Sequence, residues 1–401
     1  MTKTIVFEGV EFKVDDTGRL LKMNNNGEAK HVSIPSELPG CIHVRSLASH
    51  FCEGPYLTIN IGDGISVETK AFCDAEVDII VWPSSKKIIP VECFKRSTVS
   101  KILNIDNVKT AKRFAFEDCT HLKKFTWPSK CKEISEGCFF GTSLESISNI
   151  EHVESIRSSA FGKTNLQYFK WPDKCKEVPP RCFAYSQLKV ITNMDNVEDI
   201  GDSAFSNTHI TEFNWPPKCE RIPGGCFVCS SLKSISGIEN VKLIGDSAFD
   251  STSIEKFVWP AGCNAIPNNC FRDSKLESIS GIENVERLGW EAFAYCPIES
   301  IVWPSGCKLI PRSCFRYSQL KSISNIDGVE KIDDRAFAYT KIEEVVWPSS
   351  CMEVPEWCFV GCENLKVIDF SRATTLKISS DALSGAHSAK IIYPYYMMEE
   401  K

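Results

Sequence analysis

No stretch of this chain approaches the roughly 18 consecutive apolar residues that a membrane-crossing helix needs. The opening stretch from Met1 to Asp16 carries acidic residues where a secretory leader would hold an unbroken apolar core. The expectation from that opening is a cytoplasmic chain. Positive charge is in deficit: 46 Lys and Arg stand against 52 Asp and Glu, a formal net charge of −6. That balance argues against a nucleic-acid surface, which wants clustered Lys and Arg. Histidine is sparse. The seven, at His31, His43, His50, His121, His152, His209 and His387, are scattered, and none forms H-E-x-x-H or stands beside a nucleophile motif. No glycine-rich phosphate loop follows a strand-like run. Without converging titratable groups the expectation is no enzyme and no cofactor.

What the chain has in quantity is cysteine, 20 residues, together with a recurring Trp-Pro. The stretch "SIEKFVWPAGCNAIPNNCF" (Ser253 to Phe271) returns 44 residues earlier as "HITEFNWPPKCERIPGGCF" and 44 later as "PIESIVWPSGCKLIPRSCF". Trp-Pro stands at Trp82, Trp127, Trp171, Trp215, Trp259, Trp303 and Trp347, with Cys-Phe shortly after each and Ala-Phe between. The Phe positions therefore fall almost always 22 residues apart, in two alternating flavours. Self-similarity at such a period is the mark of an array of stacked units.

Numbering each unit from its first apolar residue makes the roles comparable. Ile254, Phe257, Trp259, Cys263, Ile266, Cys270 and Phe271 fill slots 1, 4, 6, 10, 13, 17 and 18 of one unit. Leu276, Ile279, Gly281, Val285, Leu288, Ala292 and Phe293 fill those slots in the next. Slots 4 and 6 alternate with slots 3 and 5, the period of a strand with one buried face. Pro ends that strand, and the rest is expected to return by turns and a short helical or extended segment. A single unit cannot bury its own apolar side, whereas a stack shares one continuous core.

Within the stack, Trp at slot 6 is expected in the core. In the alternate unit slot 6 holds Asn104, Asn149, Asn193, Gly237, Gly281 or Asn325, and large beside small suggests interdigitation. Slot 7 of that unit carries Ile238, Ile282 or Ile326, and the pattern leaves their direction open. Cysteine replaces Val at slot 10 and Ala at slot 17, the usage of a small buried hydrophobe. Equivalent cysteines lie two units apart, about 10 Å at ~4.8 Å per strand, beyond the ~7 Å that a disulfide spans. They are expected to be free thiols. The pair Cys226 and Cys229 has no second pair or His at zinc-site spacing, so no metal is expected.

Laid out in slots, the sequence resembles the BspA-like, Treponema-type leucine-rich repeat family. That family's unit reads approximately L-x-x-I-x-I-P-x-x-V-x-x-I-G-x-x-A-F-x-x-C. "LKSISGIENVKLIGDSAF" (Leu232 to Phe249) and "IESIVWPSGCKLIPRSCF" (Ile298 to Phe315) fill it, with Trp-Pro replacing Ile-Pro. The family's final Cys appears at Cys119, Cys296 and Cys362, and as Ser or Thr in most other units. The expected fold is a leucine-rich repeat solenoid of about sixteen coils with a parallel β-sheet on one face, mostly β and turn with short helical segments. An N-terminal capping hairpin over residues 1–30, centred on Asp16-Thr17-Gly18, the array over 31–385, and a capping strand and tail over 386–401 make up the expected organisation.

The resemblance implies a surface antigen or adhesin that binds host protein. The missing export signal and free thiols point instead to an intracellular scaffold, and both readings stand at this stage. Either way the partner is expected to be a protein, and the chain a monomer. The strand face left over, slots 3 and 5, is where such arrays bind. One flavour of unit fills it with small hydroxyls, as at Ser234 and Ser236. The other varies, and Tyr168, Lys170, Glu212, Asn214, Lys256 and Val258 are the expected partner-binding residues.

Overall fold

The computed structural model describes residues 3–7, 10–16, 19–24, 31–34, 43–44, 58–386 and 389–394. Thr17 and Gly18, the entry coil around Phe51 and the tail beyond residue 394 lie outside these residues. The chain divides into two compact units, Met1–Val197 and Glu198–Lys401, and each is described by itself.

Both units are parallel β-solenoids, with about fifteen coils of roughly 22 residues along the chain. In the first, Lys3–Phe7 and Val10–Val14 pair antiparallel, and Val10–Val14 pairs in turn with Arg19–Asn24. From Ile79 to Val354 each coil lays down a three-residue strand from slots 3 to 5 and a two-residue strand at slots 12 and 13. Tyr168–Lys170 pairs in parallel with Val190–Thr192 in the first unit. In the second, Glu212–Asn214 pairs with Ser234–Ser236 and Lys256–Val258 with Ser278–Ser280. The short strands behave alike, Ala265–Ile266 pairing with Arg287–Leu288. From residue 124 onward the longer strands pair mostly in twos, each Trp-Pro strand with the strand that follows it. The hydrogen-bonding unit of this face is thus 44 residues, the longer of the two sequence periods.

The third side of each coil is a set of turns. Among the described residues there is no helix, which corrects the expected short helical segments. The reason lies in the backbone. Slots 16 and 20 adopt left-handed φ in coil after coil, as at Ser247 (φ 57°), Ser251 (57°), Glu291 (55°) and Tyr295 (63°). A helix cannot propagate through left-handed residues. The freed N–H groups bond the next coil instead: Gly225 to Asp246 at 2.8 Å, Phe227 to Ala248 at 3.0 Å and Cys229 to Asp250 at 2.9 Å. Most of these left-handed residues are not glycine, and each costs roughly 1–2 kcal/mol of local strain. The inter-coil bonds offset it.

Phe at slot 18 builds the spine of the core. In the first unit Phe72, Phe94, Phe116, Phe139, Phe161 and Phe183 stack with ring centroids 5.3 to 5.8 Å apart. In the second, the stack from Phe205 to Phe359 runs at 5.4 to 6.2 Å. The seven Trp-Pro tryptophans are buried, and most meet this spine edge-on, as Trp259 meets Phe271 at 6.2 Å. Burying an indole N–H demands an acceptor. Trp259 Nε1 finds one in the Cys263 carbonyl, 2.9 Å away, and Trp127 in that of Cys131 at 2.8 Å. The core assignment of Trp holds.

The interdigitation expected at slot 6 does not. Asn104, Asn149 and Asn325 are exposed, Asn193, Gly237 and Gly281 half-buried, and all six have left-handed φ between 61° and 76°. This local bulge turns slot 7 inward, so Ile105, Ile150, Met194, Ile238, Ile282 and Ile326 are buried. Asn and Gly are selected here by backbone conformation. The Asn side chains add a bond, Asn149 Nδ2 donating to the Trp127 carbonyl at 2.7 Å.

Eighteen cysteines fall among the described residues. They carry no disulfide, and all but Cys229 are buried. Burial pushes the Cys175 and Cys219 thiols up to about 12. At slot 21, Cys296 Sγ donates to the Phe271 carbonyl of the preceding coil at 2.9 Å, whereas Thr252 Oγ1 donates to the Phe249 carbonyl of its own coil at 2.8 Å. The Cys, Ser and Thr side chains at that slot are small and buried, and Cys and Thr each reach the carbonyl of a spine Phe by a different route.

Candidate interaction face

The three-residue strands point their middle residue inward and the flanking two outward. Tyr168 and Lys170 flank buried Phe169 in the first unit, and Tyr168 is 69 % exposed. In the second unit Glu212 and Asn214 flank Phe213, and Lys256 and Val258 flank Phe257, with Val258 also 69 % exposed. All six expected residues therefore point outward from the strand face of their own unit, in three pairs, one on each strand. Their register neighbours are small. Glu212 faces Ser234 and Lys256 faces Ser278, while Ser236 Oγ donates to Asn214 Oδ1 at 3.1 Å.

Charge is handled differently at the edge of this face and on it. Slot 2 carries a ladder of ion pairs between register-paired coils: Lys123 with Glu145 at 3.7 Å, Lys321 with Glu299 and Lys366 with Glu343 at 2.7 Å. Such exposed pairs are screened by solvent and add little to stability. Among the described residues Lys170, Glu212 and Lys256 have no such partner. Beside Tyr168 and Lys170 lies a hollow of about 100 Å³. Its rim is held by Asn193, whose Nδ2 donates both to Asp173 Oδ1 and to the Trp171 carbonyl at 2.7 Å.

Sequence reasoning missed the turn side. Tyr295, Tyr317 and Tyr339 at slot 20 stack with centroids 5.0 and 4.4 Å apart, each about two-fifths exposed. Trp290 and Trp357 stand outside the Trp-Pro period, and Trp290 is 49 % exposed. Two tryptophans out of step with the repeat were the available signal.

Parallel coils, a stacked Phe spine and an outward strand face define a repeat protein of leucine-rich type. The sequence matches the BspA type Leucine rich repeat region over residues 65–189, 154–277 and 286–398, in six copies. This chain belongs to that family. No curated protein matches it. Among solved structures it is similar to a leucine-rich repeat protein from Bacteroides ovatus, at 19 % identity and TM-score 0.64, covering 97 % of this chain and 92 % of that one. A leucine rich cell surface protein from Faecalibacterium prausnitzii matches at 19 % identity and TM-score 0.45, over 98 % and 95 % of the two chains. The pneumococcal vaccine antigen PcpA matches at 14 % identity and TM-score 0.43, over 99 % and 95 %. At these identities the first likeness supports the fold alone. Among the described residues no helix is long and apolar enough to cross a membrane.

Proposed function

We propose that this chain is a binding protein that takes an extended protein partner on its strand face, without catalysis. The observation that carries the reading is the set of outward side chains without ion-pair partners, Lys170 beside Tyr168 in one unit and Glu212 and Lys256 in the other, among small hydroxyl neighbours. Hot spots are commonly large or charged anchors surrounded by near-neutral contacts. An extended face of repeated strands suits a polypeptide better than the single concave site that a small molecule takes. In this reading the partner is a host cell or matrix protein and the chain acts at a cell surface as a monomer; the family resemblance supports the first part. Residues 1–30 and 386–401 then serve as caps of the array over 31–385.

A second reading, an intracellular scaffold, is favoured by the buried thiols without a disulfide, which suit a reducing compartment. Surface biotinylation of intact source cells separates the two. For the face itself, Tyr168, Lys170, Glu212 and Lys256 changed together to Ser should preserve the fold and weaken a partner found by pull-down by about tenfold or more, ~1.4 kcal/mol. Undiminished binding by that variant, with loss on changing the turn side, would remove the strand face as the site.

A further inference from the structure

The turn side of the second unit carries a feature that stacking does not require. Trp290 at slot 15 lies at a cleft of about 700 Å³, with Leu288, Leu309 and Pro311 completing an apolar wall. Successive coils bring three guanidinium groups to the same cleft, from Arg312, Arg316 and Arg335 at slots 15, 19 and 16. Two carboxylates also line it, and both are occupied: Arg272 Nε holds Glu291 at 3.1 Å and Lys331 Nζ holds Asp333 at 2.7 Å. Among the described residues none of Arg312, Arg316 and Arg335 has an ion-pair partner.

Two of these arginines are nevertheless positioned. The Arg316 guanidinium lies over the Tyr317 ring at 5.0 Å, within the Tyr295, Tyr317 and Tyr339 stack. Arg335 lies over Trp357 at 4.1 Å. Stacking on a ring fixes the plane of a guanidinium and leaves its in-plane N–H donors free for a two-oxygen acceptor. Arg316 Nε is buried without an acceptor. A buried donor left unsatisfied in a native fold calls for an explanation, and a ligand is one.

We propose that this cleft binds an acidic segment of a partner polypeptide, its carboxylates on Arg312, Arg316 and Arg335 and a bulky apolar side chain against Trp290. Charge complementarity and the apolar wall select this occupant together. A lone inorganic anion fills a small part of the volume and leaves the exposed Trp290 and Leu309 uncovered. A nucleic-acid backbone would need a longer track of cations than the three arginines gathered here, on a chain whose net charge is −6. Trp, Tyr and Arg are the residue types in which binding energy concentrates at protein interfaces. The cleft uses slots 12 to 19, so it is a second surface, separate from the outward residues at slots 3 and 5.

The test is selection of a displayed library of short random peptides on the whole protein. Enriched clones should combine Asp or Glu with Trp, Phe or Leu, and synthetic versions should lose about tenfold or more in affinity for Arg316→Gln and for Trp290→Ala. They should bind the strand-face variant unchanged, which keeps this proposal distinguishable from the preceding one. Thermal melts confirm that each variant is folded, and Arg312→Gln serves if Arg316→Gln is not. Clones without acidic residues, or clones indifferent to all three substitutions, overturn the proposal. So does binding of polyphosphate or single-stranded nucleic acid that depends on the same arginines while acidic peptides fail to bind.

Discussion

A β-carbon placed on Gly361 would lie 2.3 Å from Cδ1 of Tyr339, the last ring of the tyrosine stack. Gly361 also has a φ of 69°. Space and backbone both require glycine there. Gly361→Ala should therefore cost about 2–3 kcal/mol, combining left-handed strain with overpacking. Gly224→Ala, with ordinary contact distances and no positive φ, should change stability by less than about 0.5 kcal/mol. Chemical denaturation of the two variants checks the contrast.

Trp259 is 2 % exposed and its indole is hydrogen-bonded. Trp259→Ala is expected to lose about 3–5 kcal/mol, the range for large aromatic truncations in a core. Lys256→Ala, three residues away on the outer face, should stay within about 0.5 kcal/mol. Equal shifts in thermal midpoint for the two would contradict the burial of the tryptophan column.

The left-handed turns offer a test of opposite sign. Ser247 has φ 57°, and its N–H donates to the Asn268 carbonyl at 2.9 Å. Glycine relieves the strain without removing that bond. Ser247→Gly should be about 1 kcal/mol more stable than Ser247→Ala, because alanine keeps the Cβ that makes left-handed backbone unfavourable. A glycine variant less stable than the alanine variant would show that the turn is not strained.

The buried thiols set an alkaline limit. Burial raises Cys119 and Cys296 to about 12 from an ordinary value of 9.0. The unfolded chain then releases these protons first, so stability is fully present below pH 9.0 and falls as pH rises towards about 12. Within that window each such thiol costs up to about 1.4 kcal/mol per pH unit. Replacing Cys296 by Thr, the residue that equivalent turns carry, should flatten the decline in thermal midpoint between pH 9 and 11, about the range where the shift acts. An unchanged slope would mean that the thiol ionises freely in the folded protein.

Much of the fold was legible because Phe and Trp recur at fixed intervals and only a stack satisfies them. Two features were not. Asn104 and Gly281 read as small residues beside large ones, yet small size and left-handed backbone select the same amino acids, and only φ separates the two causes. The return segment read as helix or extended, because Ser, Glu and Tyr at slots 16 and 20 announce no left-handed turn. For binding, the outward position of Tyr168 and Lys256 followed from strand alternation. The cleft at Trp290 did not, since it gathers slots 15, 16 and 19 from different coils, and no linear spacing marks residues that meet only after stacking.

The pairing of strands in twos has a consequence for how such a chain changes length. Removing residues 276–297 would set the coil of Trp259 directly against that of Trp303, two indoles where one indole and one isoleucine now alternate. Removing residues 254–297 would leave every neighbour of the same kind as before. Gain and loss of sequence by duplication or recombination is thus tolerated in steps of 44 residues, and resisted in steps of 22. The length of the array, and with it the reach of the strand face, is quantised by the hydrogen-bonded pair.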